Sequence, residues 1–274
     1  MNKISKAFKA FGLILKKPYL LNLILNDESI QRNEVLKQFP IPNGLPMLHI
    51  DELFPDFQEV ADPYAYLSGA TMPIDIALLR ALAQRMGAQN YFEIGTWRGE
   101  SVANVASVVP KCTTLNLSRE EIIALTHSEE YADLHGFFSK ELPNVKQIYG
   151  NSLHFNFAPY EKKFDLVFID GDHHYESVKS DTAAAFKLLK DENSILVWHD
   201  YGFDPESIRW SVLRGILEGM PTEKRHRLFH ISNTMCAAYL PDSLTNTIRP
   251  AVLRPHEKPT HYFEVNIKAK KVIG

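Results

Sequence analysis

The sequence has few cysteines and no long apolar run, and both absences narrow the class of protein. Cys112 and Cys236 are the only cysteines among 274 residues, too few for a disulfide framework or a cysteine-based zinc site. We therefore expect a cytoplasmic protein. The apolar run near the N-terminus is interrupted by Lys16-Lys17-Pro18 and is too short to span a bilayer, so neither export nor a membrane span is expected.

The sequence also lacks an excess of positive charge. It carries 30 Lys and Arg against 33 Asp and Glu, a formal net charge of −3. Because nucleic-acid binding usually needs a basic surface, a nucleic-acid partner is not expected. The chain has no internal repeat, and its length suits one large α/β domain with an appendage.

Basic and apolar residues are mixed over residues 3–25, which predicts a helical N-terminal arm. The favoured interpretation is an arm that packs on its own domain or on a second copy in a homo-oligomer. Contact with a membrane surface is the alternative. Residues 26–65 contain five prolines, and we expect an irregular wrapping segment that completes an N-terminal region, residues 1–65.

From Pro73 the sequence alternates helix-like and strand-like stretches, which predicts an α/β fold with parallel strands and crossover helices. Gly87 is placed to end the first helix, and a buried strand follows from Tyr91. A helix is expected over residues 206–218. Residues 226–240 hold two strand-like stretches around a turn, and we expect them to form an antiparallel terminal hairpin.

One further pattern lies in the C-terminal extension, residues 242–274. Phe263, Val265 and Ile267 alternate with polar residues, which is the period of an exposed strand. We expect this strand to extend the sheet edge or to pair across an oligomer interface.

A glycine loop follows the first strand. Gly95 and Gly99 permit tight backbone geometry, and a helical pattern resumes at Ser101. At such a junction of an open α/β sheet, free helix N–H groups and a missing Cβ let a polar ligand approach the backbone. The dinucleotide fingerprint G-x-G-x-x-G is absent, which argues against NAD.

Two later strands both end in aspartate. Asp170 lies in the motif Ile-Asp-Gly-Asp-His that begins at Ile169, and Asp200 follows Trp198-His199. If these strands are adjacent and parallel, both carboxylates lie at the sheet edge that carries the glycine loop.

The acidic-x-Gly-x-x-x-Gly loop that begins at Glu93, together with the Ile-Asp-Gly-Asp-His motif, resembles class I S-adenosylmethionine-dependent methyltransferases over residues 73–240. The resemblance implies a Rossmann-like, seven-stranded, mostly parallel sheet in a domain of residues 66–241. It also implies S-adenosylmethionine as cofactor and, through a site like that of catechol O-methyltransferase, methyl transfer to a hydroxyl of a small-molecule or sugar-like acceptor.

The resemblance assigns roles to particular residues. Asp170 and Asp200 would hold magnesium or another divalent cation, which lowers the pKa of a coordinated hydroxyl. His173 and Asp170 would be catalytic, with His173 as general base. The residues implied to contact the cofactor come from the glycine loop and from later strand ends: Glu93, Gly95, Thr96, Gly99, Asn116, Asn151, Ser152 and Asp170.

Several positions depart from the family's pattern. Asn116 and Asn151 stand where the family has acidic residues that contact ribose and adenine, and an amide offers only one acceptor oxygen. Tyr201 stands where an asparagine metal ligand is expected, and His173 replaces a lysine. His199 leaves Mn²⁺, Fe²⁺ or Zn²⁺ open as the bound ion.

Other interpretations stay open at this point. In one interpretation, Asp170 and Asp172 cap a helix N-terminus. In a second interpretation, Asp170 contacts the cofactor and no metal is bound. The departures also suit a methyltransferase-like binding protein that has lost catalysis. A metal-dependent hydroxylase or hydrolase would use Asp170, Asp200 and His199.

Overall fold

A computed structural model of the chain describes residues 2–25, 27–259 and 262–271, without the side chains at positions 22, 23 and 25. Within these ranges eight strands form one sheet, in the order β1-β9-β10-β6-β5-β2-β3-β4, and β10 is antiparallel to both of its neighbours. In chain order the strands are β1 (Met47–Leu48), β2 (Asn90–Ile94), β3 (Lys111–Asn116), β4 (Val145–Tyr149), β5 (Leu166–Ile169), β6 (Ile195–Trp198), β7 (Gly202–Asp204), β8 (Ser207–Ile208), β9 (Leu228–Ile231) and β10 (Ala237–Tyr239). Strands β7 and β8 form a separate small hairpin.

Helices cover both faces of this sheet. Helices α3, α9 and α10 pack on one face, and α4, α5 and α6 pack on the other. The helices are α1 (Lys3–Lys16), α2 (Leu20–Leu25), α3 (Glu28–Gln38), α4 (Ile50–Leu53), α5 (Pro73–Met86), α6 (Glu100–Ala106), α7 (Arg119–Thr126), α8 (Glu129–Asp133), α9 (Tyr175–Leu188), α10 (Trp210–Gly219) and α11 (Asp242–Thr245), with 3₁₀ turns at Ala158–Tyr160 and Thr222–Arg227.

Strands β5 and β6, in the middle of the sheet, are apolar throughout because they are buried on both faces. In β5, Val167 and Ile169 face the cluster under α9 and α10, whereas Leu166 and Phe168 face the cluster under α5. A parallel strand covered by helices on both sides has no solvent face that calls for polar residues. The predicted Rossmann-like, mostly parallel sheet is confirmed, and so is the terminal hairpin, formed by β9 and β10.

The segment expected to be irregular, residues 26–65, holds regular structure. Helix α3 was missed because it buries little more than Gln31 and Val35 amid exposed polar residues, so its sequence lacks a continuous apolar stripe. Strand β1 is only two residues long, and it pairs in parallel with β9. It therefore adds an eighth strand to the seven that were expected.

The C-terminal extension meets the sheet at a different place from the one predicted. Residues 262–271, where an edge strand was expected, lie outside any helix or strand. Instead Ala251 forms a single antiparallel bridge with Met47 of β1. Alternating apolar residues did not create a strand here, because a strand also needs a partner edge within reach. The helix expected from residue 206 begins at Trp210, since β7 and β8 take up the preceding residues.

The N-terminal arm does form helices, α1 and α2. However, none of the fourteen residues of α1 is buried. Packing of the arm on its own domain therefore has no support in the structure, and packing on a second copy stays a prediction. No helix among the described residues has both the length and the apolar character needed to cross a bilayer.

Glu28, in the first turn of α3, caps a different helix. Its carboxylate accepts hydrogen bonds from the backbone N–H groups of Trp210 and Ser211 and from the Ser211 hydroxyl, the last at 2.8 Å. Arg209, at the N-cap position of α10, makes no side-chain cap of its own. The remote carboxylate therefore satisfies the free N–H groups of α10 and lies at its positive end.

We expect Glu28→Ala to lower the free energy of unfolding by about 1 to 2 kcal/mol, the usual cost of losing an N-cap. Urea denaturation would measure it. Glu34→Ala is the matched control on the same helix, because it removes only the exposed pair with Lys37 and should cost no more than about 0.5 kcal/mol. Equal losses in the two variants would contradict the capping role.

Candidate active site

The candidate site lies where three adjacent parallel strands end. The N–H of Asp170 donates to the Ile94 carbonyl at 2.8 Å, and the N–H of His199 donates to the Ile169 carbonyl at 2.9 Å. These bonds carry the ladder one residue past β2, β5 and β6. They place the glycine loop, Asp170 and Asp200 at one edge of the sheet, as the sequence predicted.

The glycine loop approaches the Asp170 backbone more closely than any side chain would allow. Gly95 has φ +96°, and a Cβ there would lie 2.1 Å from the Asp170 carbonyl oxygen. Gly99 has φ +81° and precedes α6, and a Cβ there would meet Ser139 Oγ at 2.4 Å. Both positions therefore need glycine.

Glu93 lies fully buried beneath this loop. Its Oε2 accepts a hydrogen bond from the Tyr91 hydroxyl at 2.5 Å. Burial raises the pKa of the Glu93 carboxyl to about 8, and the nearby charge of Asp170 adds to the rise. Glu93 thus supports the loop from below and carries a proton over much of the neutral range.

Three ligand-type side chains converge at the strand ends. Nδ1 of His199 lies 3.1 Å from Asp170 Oδ1 and 3.4 Å from Asp200 Oδ2. One nitrogen and two carboxylate oxygens from these residues all lie within 4.8 Å of one another. Nδ1 is buried and has no hydrogen-bond partner of suitable geometry among the described residues. This donor set suits a divalent cation.

Asp75, at the start of α5, holds His199 from the other side. Its Oδ2 lies 3.0 Å from His199 Nε2, and its Oδ1 accepts the N–H of Met235 at 3.0 Å. Burial alone would lower the pKa of His199, but the carboxylates of Asp170, Asp200 and Asp75 raise it well above the usual range. Without a cation, both ring nitrogens of His199 therefore carry a proton. A cation bound at Nδ1 would displace the proton there, while the proton on Nε2 would stay with Asp75.

His173 lies at the open side of this cluster. Its Nδ1 is 4.0 Å from Asp200 Oδ2, and about half of its side chain is exposed. Burial of the remainder, together with the positive charge of Arg209, lowers the pKa of His173, so it is mostly neutral at physiological pH. Arg209 also lies 3.4 Å from Asp200 Oδ1.

Neither Asp170 nor Asp172 caps α9, whose N-cap residue is His174 and has no side-chain cap hydrogen bond. Asp172 accepts hydrogen bonds from the backbone N–H and ring Nδ1 of His174 and from the Ser177 hydroxyl, at the start of α9. Asp170 instead accepts the Thr71 hydroxyl at 2.8 Å and faces His199.

The remaining predicted cofactor contacts differ in how free their side chains are. Asn116 has its amide nitrogen 2.8 Å from His135 Nδ1, which leaves its oxygen to accept from a ligand. Asn151 accepts the N–H of Leu153 within its own turn at 3.0 Å. The Thr96 hydroxyl is bonded to Thr114 at 2.6 Å. Ser152 lies beside Asp181, a carboxyl whose pKa burial raises to about 6.

Tyr201 occupies the position of the expected asparagine but does not take its place as a donor in the Asp170, His199 and Asp200 cluster. Its side chain is buried and points away from the strand ends, where its hydroxyl accepts the N–H of Leu45 at 3.0 Å. It therefore anchors the segment before β1. The third donor of the cluster comes from His199, one position before Asp200.

A segment that precedes α5 covers the glycine loop. The Arg98 guanidinium donates to the carbonyls of Leu67 and Ser68, at 3.2 and 3.0 Å. Glu100 accepts the N–H of Ala65 at 3.0 Å and pairs with Arg98. These buried charges fix residues 65–71 beside the cluster, so this segment forms part of the wall of the site.

Four residues of the site were missed by sequence reasoning: Thr71, Asp75, Arg98 and His135. Asp75 carried the only usable signal, because it is an acidic residue in the otherwise apolar first turns of α5. Each of the four acts through a partner distant in the chain, which no local pattern reveals.

The Glu93 carboxyl predicts a pH dependence of stability. Its pKa is about 8 in the fold and near 4.5 when unfolded, so its contribution is full below pH 4.5 and is lost as the pH rises toward 8. From pH 4.5 to 8 the wild type should lose about 4 kcal/mol of unfolding free energy relative to Glu93→Gln. Urea denaturation at several pH values would measure the difference, with Glu120→Gln as the exposed control. Parallel curves would contradict the prediction.

Comparison with known proteins finds a likeness over the central part of the chain. Residues 92–201 match the family model of a methyltransferase domain, about two fifths of the chain. No curated protein sequence matches it.

Solved structures give a broader but weaker likeness. An O-methyltransferase from Bacillus cereus in complex with SAH is 20% identical, covers 82% of this chain and 97% of its own, and has a TM-score of 0.43. The O-methyltransferase of tomaymycin synthesis from Streptomyces achromogenes, in complex with SAM, is 19% identical, with coverages of 63% and 82% and a TM-score of 0.40. An SAH-bound methyltransferase from Podospora anserina is 17% identical, with coverages of 78% and 95% and a TM-score of 0.41.

The family match spans the glycine loop, both aspartate-ended strands and His199, which are the parts that build the site. With the Rossmann-like sheet around them, these parts are what the chain shares with the model of a methyltransferase domain.

Proposed function

We propose that this chain transfers a methyl group from S-adenosylmethionine to a hydroxyl oxygen of a small-molecule or sugar-like acceptor, with a divalent cation held by Asp170, His199 and Asp200. The observation that carries the proposal is the convergence of these three donors beside Gly95, at the edge where the methyltransferase domain places its cofactor loop. Oxygen is favoured as the acceptor atom because a cation site serves to ionise a hydroxyl.

The donor geometry fits a divalent ion. Adjacent ligands at about 2.1 Å from an octahedral ion lie roughly 3 Å apart. The separations of His199 Nδ1 from the two carboxylates, 3.1 and 3.4 Å, are close to that spacing. One imidazole among the oxygens favours Mn²⁺, Fe²⁺ or Zn²⁺ more than an all-oxygen site would, although Mg²⁺ remains compatible. A bound cation lowers the pKa of the acceptor hydroxyl.

The chain's own residues supply the other functions. S-adenosylmethionine brings an electrophilic sulfonium methyl when bound. Gly95 leaves room for the cofactor against the backbone, and Glu93 keeps that loop in shape. The free amide oxygen of Asn116 is placed to accept a ribose hydroxyl, since its nitrogen is bonded to His135. His173, neutral and partly exposed, is placed to take the proton of the acceptor hydroxyl.

Other predicted contacts enter the proposal with a narrower role. Thr96 would contact the cofactor through its backbone, because Thr114 holds its hydroxyl. Asn151 would use the second lone pair of its oxygen, and Ser152 its hydroxyl, toward the adenine. Gly99, the N-cap residue of α6, would leave the first N–H groups of that helix accessible to the cofactor.

Calorimetric titration tests the cofactor part. We expect S-adenosylmethionine and its demethylated product to bind the wild type, and Gly95→Ala to abolish binding, because its Cβ collides with the Asp170 carbonyl. Gly87→Ala is the matched control: Gly87 also has a positive φ, but a Cβ there meets nothing within 4 Å, so binding should persist. A folded wild type that binds neither compound at millimolar concentration would rule out the proposal and favour the non-catalytic alternative.

Titration with Mn²⁺ followed by electron paramagnetic resonance tests the cation part. We expect His199→Ala and Asp200→Asn each to weaken Mn²⁺ binding at least about tenfold, the scale seen when a ligand or its support is lost. His173→Ala should leave Mn²⁺ binding within about twofold while methyl transfer to a panel of catechols and glycosides falls by about 10² or more. Undiminished binding in both ligand variants would refute the site.

The metal-dependent hydroxylase or hydrolase remains a second candidate, because the Asp-His-Asp cluster would also serve metal chemistry without methyl transfer. The same acceptor panel separates the two functions. Turnover that requires the cation but proceeds without S-adenosylmethionine would favour the second candidate.

A further inference from the structure

Helix α1 presents an apolar face that none of the described residues covers. Ile4, Phe8, Phe11 and Leu15 recur at intervals of four, three and four residues, which places them on one side of the helix. Their side chains are 68%, 76%, 62% and 68% exposed. The apolar surface continues beyond the turn at Pro18, where Tyr19, Leu21 and Ile24 are also exposed.

The charge of this arm is of one sign. Lys3, Lys6, Lys9, Lys16 and Lys17 precede the first acidic residue of the chain, Asp27. The whole chain has 30 basic and 33 acidic residues, so the remainder has 25 basic against 33 acidic, a net charge of −8. The arm is thus net positive, whereas the rest of the chain is net negative.

We propose that α1 lies flat on an anionic lipid surface, with the face of Ile4, Phe8, Phe11 and Leu15 in the acyl boundary. At 100° per residue, Lys6 and Lys9 fall on the opposite side of the helix, where long side chains reach headgroup phosphates. Fourteen residues give a helix about 21 Å long, enough to lie in the interface but not to cross it. The proposal is independent of the methyl-transfer function.

The charge pattern favours lipid over pairing of two arms. Two arms packed through their apolar faces would leave ten lysines without an acidic partner, because each arm holds five lysines and no Asp or Glu. An anionic bilayer instead offers negative charge along the whole helix and an apolar layer beneath it. Docking of the arm on the acidic body of a second copy is the competing outcome that the experiment must separate.

Vesicle sedimentation with the full-length protein tests the proposal. We expect binding to phosphatidylcholine vesicles that contain 30% phosphatidylglycerol, as an experimental choice of about one anionic lipid in three. Binding to phosphatidylcholine alone should be at least about tenfold weaker, and high salt should reduce binding to the mixed vesicles. Equal binding to both compositions would overturn the electrostatic part of the proposal.

Paired variants locate the contact. Phe8→Asp with Phe11→Asp should lower binding at least about tenfold. Val265→Asp with Ile267→Asp, which changes two side chains of similar exposure, 67% and 73%, should leave it unchanged. Lys6→Glu with Lys9→Glu should lower vesicle binding by about tenfold or more. The control, Lys140→Glu with Lys258→Glu, changes two exposed lysines outside the arm and should leave binding unchanged.

Sedimentation equilibrium without lipid tests the competing outcome, in which the arm docks on a second copy. If the wild type shows no vesicle binding but forms a dimer that Phe8→Asp with Phe11→Asp dissociates, the arm serves a second copy and the lipid proposal is wrong. Since α1 buries no side chain on its own domain, the arm variants should keep the wild-type unfolding temperature. A retained unfolding temperature with lost vesicle binding supports the proposal.

Discussion

The register of three parallel strands is the constraint on which the candidate site depends. One hydrogen bond from Asp170 to Ile94 and one from His199 to Ile169 carry the ladder past the strand ends. A slip of one residue would turn each of these side chains to the opposite face of the sheet. The apolar residues buried on both faces of these strands resist such a slip, so the packing that stabilises the fold also fixes the donor positions.

Three carboxylates surround His199, and of these Asp75 is buried while Asp170 and Asp200 are partly buried. Asp75 approaches the imidazole from one side, and Asp170 and Asp200 approach it from the other. Three acidic groups so close together are costly to bury unless cations accompany them. His199 and Arg209 supply part of that compensation, and a divalent cation would supply more. The same arrangement turns an unpaired ring nitrogen toward the two strand-end aspartates.

The chain before β2 contributes to the site as well as to the fold. Arg98 holds the carbonyls of residues 67 and 68, and Thr71 reaches Asp170 directly. Further back, Leu45 is held by the Tyr201 hydroxyl, and β1 joins the edge of the sheet. This covering segment therefore forms part of the wall beside the strand ends.

The sequence by itself determined the parts that depend on local chemistry. Continuous apolar runs showed the buried strands, glycines showed the loop, and strand-end aspartates showed the edge where they meet. Tertiary structure alone decided which partners these groups take. It paired Asp75 with His199 across 124 residues, turned Tyr201 toward Leu45, formed α3, and left residues 262–271 without a strand. These hydrogen bonds and strand pairs join residues that are far apart in the chain. Their contribution to the free energy of folding arises only when the distant segments pack together, so no local sequence pattern reveals them.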